Sequence, residues 1–161
     1  MGQQQGQRIP AGRETTRPQL RPVTVEDIVQ TDVVTAERDT PVATVVAEMA
    51  EKDVGSVVVV EDDRPVGVIT DRSVVLSLES DPDVSERKAE EIMGESPVTG
   101  TTDMTVFKAI RRMREGPVRR LPIVDEDGTL QGIVTLDDIL IVLGTEVENA
   151  TQIIREQVSR A

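Results

Sequence analysis

The second half of the chain contains the sequence Val118-Arg-Arg-Leu-Pro-Ile-Val-Asp-Glu-Asp-Gly-Thr-Leu-Gln-Gly-Ile-Val-Thr-Leu-Asp-Asp-Ile139. Two apolar runs, residues 121–124 and 130–134, flank an acidic turn that contains glycine, which is the pattern of paired strands. The polar sequence from Thr135 to Asp138 precedes apolar residues at helical spacing and predicts the start of a helix. The two arginines and the Thr-x-x-Asp sequence could contact the phosphate and sugar of one ligand.

This strand-turn-strand-helix unit occurs twice. A shift of 64 residues aligns residues 57–60 with 121–124, and one extra residue in the second turn aligns 67–70 with 132–135. One repeat alone is too small to bury its own sheet, so the two halves should pack about a pseudo-twofold axis. The pattern predicts an α+β (α/β) fold, with two small three-stranded sheets flanked by helices.

The composition divides the chain into five segments. Residues 1–22 contain Gln, Gly, Arg and Pro without periodicity, which predicts a flexible N-terminal tail. Residues 23–80 form the first repeat, the polar residues 81–87 a linker, and residues 88–145 the second repeat. Residues 146–161 extend the last helix and are a candidate for a dimer contact.

The net charge of −12 restricts the partners of the chain. Because the tail carries four arginines against one glutamate, the rest is more acidic still and should repel DNA and anionic membranes. Only three of the 18 basic residues are lysine, and we hypothesise that this acidic, arginine-containing surface suits a halophilic, high-salt cytoplasm. Neither a membrane-spanning apolar run nor a signal peptide is evident, so the sequence predicts a soluble cytoplasmic protein without membrane insertion.

The sequence offers little for catalysis. It has no histidine and no cysteine, which removes the usual general base and most transition-metal ligands. It also lacks a P-loop, a serine nucleophile motif and metal-ligand spacing, so we expect no enzyme and no metal site. The acidic runs 61–63 and 125–127 are better explained as solvated turns than as divalent-ion sites.

Thr-x-x-Asp at a helix start is often only an N-cap, and an arginine pair is often only solvated. Two features favour a ligand site. Gly132 permits close backbone approach before Thr135, and two packed units would turn their helix N-termini toward a shared cleft, where anions are favoured.

The sequence of residues 118–139 strongly resembles the CBS domain, named after cystathionine beta-synthase. Residues 54–60, residues 67–72, and Ile92-Met93 ahead of Val98-Thr99 resemble it too, so that the resemblance covers residues 23–143. It implies a stand-alone tandem CBS pair, or Bateman module. Such modules bind adenosine nucleotides or related ligands between their repeats and commonly dimerise.

The resemblance therefore predicts a regulatory module that senses an adenine nucleotide and signals to an unidentified regulated protein. The ligand would be AMP, ADP or ATP, with NAD or S-adenosylmethionine as further options, and the chain would form a homodimer. The alternatives are a structural dimerisation module with unoccupied pockets and, less in keeping with the composition, a small enzyme.

In the CBS family the aspartate of Thr-x-x-Asp binds the ribose hydroxyls, and Asp138 matches it. The resemblance implies a main nucleoside pocket formed by Val34, Val54, Gly55, Ser56, Ile133, Thr135, Asp137 and Asp138. A second pocket, or phosphate contacts, would come from Thr70, Asp71, Arg72, Val98, Arg119, Arg120 and Pro122. The first repeat has Ser73 at the position of the ribose aspartate, which predicts one strong site rather than two.

Overall fold

The computed structural model describes residues 22–158 of the protein. The predicted tail therefore lies outside the described residues except for Pro22, and so do residues 159–161 of the predicted C-terminal extension. The helices are α1 Val42–Lys52, α2 Asp71–Ser80, α3 Ala89–Ile92, α4 Val106–Glu115 and α5 Leu136–Val158, with 3-10 helices at Val25–Asp27 and Val84–Glu86. The strands are β1 Thr35–Glu37, β2 Ser56–Glu61, β3 Arg64–Thr70, β4 Gly94–Glu95, β5 Arg120–Val124 and β6 Leu130–Thr135.

Two sheets are built on the same plan. The first has the order β1-β2-β3-β4, with β1 parallel to β2 and the other neighbours antiparallel. In the second, β5 and β6 are antiparallel, and single bridges at Gly100 and Gln30 take the places of the outer strands. The predicted α+β fold is confirmed. The prediction of two three-stranded sheets is wrong in detail. The first sheet has four strands because β4, which follows α3, pairs with β3, and the second has two because its outer neighbours form only single bridges.

The two halves exchange their leading segments. Val25, from the start of the first repeat, is fully buried in the core of the second repeat, and its N–H donates to Met104 O at 2.8 Å. Ala89, from the start of the second repeat, is fully buried in the first core and donates to Thr40 O at 2.8 Å. Each core is therefore completed by residues from the other half of the sequence.

The unbroken valine run of β2 is explained by burial on both faces. Val57 and Val59 pack into the first core, whereas Val58 and Val60 pack against Ile133 of the second sheet. Successive side chains of a strand point to opposite faces, so a strand between two apolar layers needs apolar residues at every position.

The predicted linker, residues 81–87, has ordered structure. Its 3-10 helix buries Val84, which is 2% exposed. Arg87 Nε donates to Asp81 Oδ2 at 2.6 Å, and this hydrogen bond holds the pKa of Asp81 below its ordinary value. Between residues 22 and 158, no helix is both long enough and apolar enough to cross a membrane.

Candidate functional site

The Thr-x-x-Asp sequence forms a capping box where β6 passes into α5. The backbone N–H of Thr135 donates to Asp138 Oδ2 at 2.9 Å, and the Thr135 hydroxyl donates to the same oxygen at 2.6 Å. In return, Asp138 N donates to Thr135 Oγ1 at 3.1 Å. The cap fixes a half-buried carboxylate at the N-terminal, electropositive end of α5.

The second oxygen of this carboxylate has a different partner. Gln30 Nε2 donates to Asp138 Oδ1 at 2.9 Å. Gln30 reaches this position because its backbone bridges Ile133 of β6, and its side chain is exposed. Sequence reasoning missed Gln30, since the repeat alignment sets it opposite Gly94, which has no side chain.

Gly132 has a different role from the predicted one. A Cβ on Gly132 would overlap Val29 Cγ2 and lie 2.7 Å from Gln30 O. At Gly67, the equivalent glycine of the first repeat, the space that a Cβ would take is occupied by the Met93 side chain. The close approach at Gly132 is therefore made by the exchanged segment of the chain itself, which brings Gln30 to Asp138.

The equivalent position in the first repeat has the same cap without the charge. Thr70 N donates to Ser73 Oγ at 2.9 Å, and Ser73 N donates to Thr70 Oγ1 at 3.1 Å. The two helix starts therefore match in geometry and differ by one carboxylate.

Arg119, just before β5, and Arg120, its first residue, have separate surroundings. Arg119 forms an ion pair with Asp137 at 3.0 Å in which both side chains are 69% exposed, and such pairs contribute little stability. Arg120 is half-buried and reaches the first repeat. Its Nη2 lies 2.9 Å from the place that a Cβ on Gly55 would take, and Asp71 Oδ2 lies 3.4 Å from the same point. Within residues 22–158, the Arg120 side chain makes neither a hydrogen bond nor an ion pair.

The contacts join most of the predicted site residues at one edge of the two sheets. Arg120 is paired with Thr135 across β5 and β6, and its guanidinium lies beside Gly55 of the first repeat. Ser56 is paired with Thr70, which precedes Asp71 and Arg72 at the start of α2. This junction brings together the starts of β2, α2, β5 and α5.

The remaining predicted residues lie around this junction. Ile133 packs between the sheets and is paired with the buried Pro122. Val34 and Val54 line a cleft of about 500 Å³ beside β1 and α1, and Asp138 is not among its lining residues. Val98 packs against the core of the second repeat.

The sequence matches the CBS domain family over residues 25–80 and again over residues 89–145. The chain therefore belongs to the CBS domain family and contains a pair of CBS domains, which confirms the resemblance. CBS domain pairs are a class of regulatory, ligand-sensing modules, and the match indicates no catalytic family.

Two relatives illustrate the match. An uncharacterized protein of Methanopyrus kandleri is 40% identical over 125 residues, which cover 75% of this chain and 63% of that protein. The CBS domain-containing protein YhcV of Bacillus subtilis is 31% identical over 117 residues, covering 73% of this chain and 83% of that protein. The chain thus spans less than two thirds of the Methanopyrus relative.

Solved structures share the fold. The CBS domain pair of protein MJ0100, in complex with 5′-methylthioadenosine and S-adenosyl-L-methionine, superposes with a TM-score of 0.70 at 22% identity and covers 78% of this chain and 99% of that chain. Protein MJ1225 of Methanocaldococcus jannaschii, described as a putative archaeal homolog of γ-AMPK, has a TM-score of 0.69 at 25% identity, covering 75% of this chain and 48% of that chain.

Proposed function

We propose that the chain is a sensor of an adenine nucleotide, AMP, ADP or ATP, or of a related adenosine compound such as NAD or S-adenosylmethionine. The ligand would lie at the junction of the two repeats with its ribose at Asp138. Ligand occupancy would then be passed to a partner protein. The observation that carries this proposal is the divided role of the Asp138 carboxylate, in which Oδ2 is held by the cap and Oδ1 by the exposed Gln30 side chain.

This division suits a ribose. A carboxylate can accept hydrogen bonds from vicinal hydroxyls while it keeps its bonds to Thr135. A ribose hydroxyl can replace the Gln30 amide on Oδ1 without disturbing the start of α5. Replacing one neutral hydrogen-bond donor by another changes the free energy little, so the ligand could displace the Gln30 amide at small cost.

Arg120 would bind the phosphate. It is the half-buried cation of the junction, and its side chain is unpaired within residues 22–158, whereas Arg119 already has Asp137 as a partner. The nearby starts of α2 and α5 add the positive ends of two helix dipoles, which favour an anion. The adenosine compounds in the MJ0100 complex support the same ligand class for this fold.

Ligand binding can be tested by thermal unfolding and calorimetry with AMP, ADP, ATP, NAD and S-adenosylmethionine. A ligand at 100 times its Kd should stabilise the chain by about 2.7 kcal/mol. The matched variant is Asp138→Ser, because Ser73 shows that serine completes the same cap in the first repeat. Asp138→Ser should lose ligand affinity and keep its stability; unchanged affinity would place the ribose elsewhere.

Arg120 and Gln30 can be tested with the same assay. Arg120→Gln should weaken AMP binding more than adenosine binding, because only AMP carries a phosphate. Gln30→Ala should bind the nucleotide about 2- to 10-fold more tightly, since a competing hydrogen bond is removed. Weaker binding by Gln30→Ala would show that the amide contacts the ligand directly.

A structural dimerisation module remains the second candidate. It is favoured by apolar side chains that are exposed on the helices, including Val75 at 65% and Phe107 at 67%. Both candidate functions, the nucleotide sensor and the dimerisation module, include a homodimer. If no adenosine compound shifts the unfolding temperature, the dimerisation role is favoured and the sensor is rejected.

A further inference from the structure

Asp71 and Arg120 border the same space at the junction of the repeats. The backbone N–H of Asp71 donates to Gly55 O at 3.2 Å, which holds the start of α2 beside the start of β2. Asp71 Oδ1 accepts from the N–H of Arg72 at 2.7 Å, and Oδ2 lies 3.4 Å from the place that a Cβ on Gly55 would take. Arg120 Nη2 lies 2.9 Å from the same place, so the two charged groups are no further apart than these two distances combined.

The carboxylate and the guanidinium belong to different repeats and form no ion pair. Asp71 is the first residue of α2, and Arg120 is the first residue of β5. In the part of the chain from 22 to 158, no ion pair joins them, and Oδ2 of the exposed Asp71 side chain accepts no hydrogen bond. The cation that we assign to the ligand phosphate therefore has an unpaired negative charge beside it.

The junction has no excess positive charge for a polyphosphate. The charged side chains at or next to the starts of α2, β5 and α5 are three carboxylates and three arginines, namely Asp71, Asp137, Asp138, Arg72, Arg119 and Arg120. Arg119 already forms an ion pair with Asp137, and Arg72 only offsets the charge of its neighbour. The chain has a net charge of −12, so the rest of the molecule adds negative charge overall.

We propose that Asp71 is a specificity-determining residue, which limits the ligand to an adenosine compound with one phosphate, as in AMP. The inference rests on the proposed function, because it takes Arg120 as the phosphate contact. A phosphate monoester carries a charge of about −1.5 to −2 at pH 7. In ADP and ATP each further phosphate adds negative charge that Arg120 cannot neutralise and that Asp71 repels. The Debye length of about 8 Å at physiological salt leaves this repulsion only partly screened.

Two other roles of Asp71 would give different results. A carboxylate at the start of α2 could act only on the helix dipole, which would change stability and leave the ligand preference unaltered. It could also hold a Mg²⁺ ion against the ligand phosphates, which would favour ATP. Repulsion is the better supported role, because no group of three or more acidic residues between 22 and 158 is placed to hold a metal ion.

The test is calorimetry with adenosine, AMP, ADP and ATP in EDTA, using the full chain and Asp71→Asn. Asparagine keeps an oxygen for the N–H of Arg72 and removes the charge, so the fold should be unaffected. Adenosine should bind the variant as it binds the parent. AMP should bind about 3-fold more tightly and ATP about 10-fold or more. The gain should therefore rise with the charge of the ligand, which a general change in the shape of the pocket would not produce.

Glu79→Gln is the matched control. It removes one negative charge from the same helix, at an exposed position roughly 12 Å along the axis from Asp71 and beyond the Debye length at physiological salt. All four affinities should stay at the parent values. In Asp71→Asn, raising KCl from 0.1 to 1 M shortens the Debye length from about 10 to about 3 Å and should reduce the gain for ATP to less than about 3-fold.

The outcomes separate this inference from the proposed function. Binding of adenosine and AMP, with a ratio of ATP to AMP affinity that Asp71→Asn leaves unchanged, rejects the role of Asp71 alone. So does a variant that binds ATP less tightly, because a repelling charge cannot aid binding. If neither the parent nor Asp71→Asn binds any of the four compounds, the sensor and this inference are both rejected. The unfolding midpoints of the two variants would show that each is folded.

Discussion

Asp138 and Ser73 show how one side chain can separate two otherwise matched sites. Both complete a capping box with the threonine three residues earlier, and both do so at the end of the central antiparallel hairpin of a repeat. Only Asp138 brings a charge and an acceptor that a ribose can share. The difference in function between the repeats would therefore depend on this residue rather than on the backbone.

Ser73→Asp should create a second ribose site. A carboxylate at this position can accept from Thr70 N as Asp138 does from Thr135 N, and no residue occupies the place of Gln30 because its equivalent is Gly94. Calorimetry should show the stoichiometry rise from one nucleotide per chain toward two. Ser85→Asp, with the same change of charge at an exposed position, is the control and should stay at one. A stoichiometry of one in Ser73→Asp would mean that the second junction lacks more than the carboxylate.

At this scale the sequence predicts contacts only where the residues are close in the chain. The Thr135–Asp138 cap follows from a spacing of three residues. The Gln30–Asp138 contact joins residues 108 positions apart, which no local pattern can detect. The sequence also treats Arg119 and Arg120 alike, but Arg119, just before β5, forms an exposed ion pair with Asp137, whereas Arg120, the first residue of β5, reaches Gly55.

Among the elements, the paired glycines of β3 and β6 determine how closely the exchanged segments pack. Gly132→Ala should destabilise the protein by about 2 kcal/mol, because its Cβ would overlap Val29 and the backbone of Gln30. Gly94→Ala is the control: its nearest heavy atom, Val68 O, is 3.7 Å away, and its effect should stay within about 0.5 kcal/mol. Urea unfolding measures both. Equal midpoints for the two variants would show that the exchanged segment moves aside easily.

The hydrophobic periodicity of a helix predicts which side is buried. It predicts less well how many residues on that side are buried. The apolar spacing of α1 predicts a buried stripe of Val42, Val45, Val46, Met49 and Ala50. Val42 and Val45 are each 1% exposed and Met49 is 8% exposed, but Val46 is 41% exposed and Ala50 is also exposed. One narrow face is sufficient for a helix that packs on one side of a sheet, and the rest of the stripe remains on the surface.

The whole molecule is held together by the exchange of leading segments. Val25 belongs to the first repeat in sequence and to the second core in space. Val25→Ala should therefore destabilise the protein by about 2 kcal/mol, since two buried methyl groups are lost. Hydrogen exchange should increase first in β5 and β6 rather than in the strands of the first repeat. Val46→Ala, at a residue that is 41% exposed in the first repeat, is the control and should leave exchange in β5 and β6 unchanged.

The sequence repeat predicts two units and a pseudo-twofold arrangement, but it does not predict this exchange. Alignment shows that residues 26–28 and 90–92 are equivalent, yet it cannot tell which sheet each leading segment joins. The exchanged segments contact the sheets at Gly67 and Gly132, where a Cβ would overlap Met93 and Val29.

The charge of the whole molecule leads to the last prediction, which concerns salt. Leu130 N donates to Asp63 O, so the acidic turns 62–63 and 125–127 lie beside each other. Of the nearby cations, Arg64 lies beside Gly128 of the second turn, and no ion pair between its side chain and the acidic side chains is formed within residues 22–158. Dissolved cations should therefore screen much of the repulsion in this region. Raising KCl from 0.1 to 1 M shortens the Debye length from about 10 to about 3 Å and should raise the unfolding temperature. Asp62→Asn with Glu126→Gln should reduce that gain, because two of the repelling charges are removed. An unfolding temperature independent of KCl in the parent would reject the hypothesis that this surface is suited to high salt.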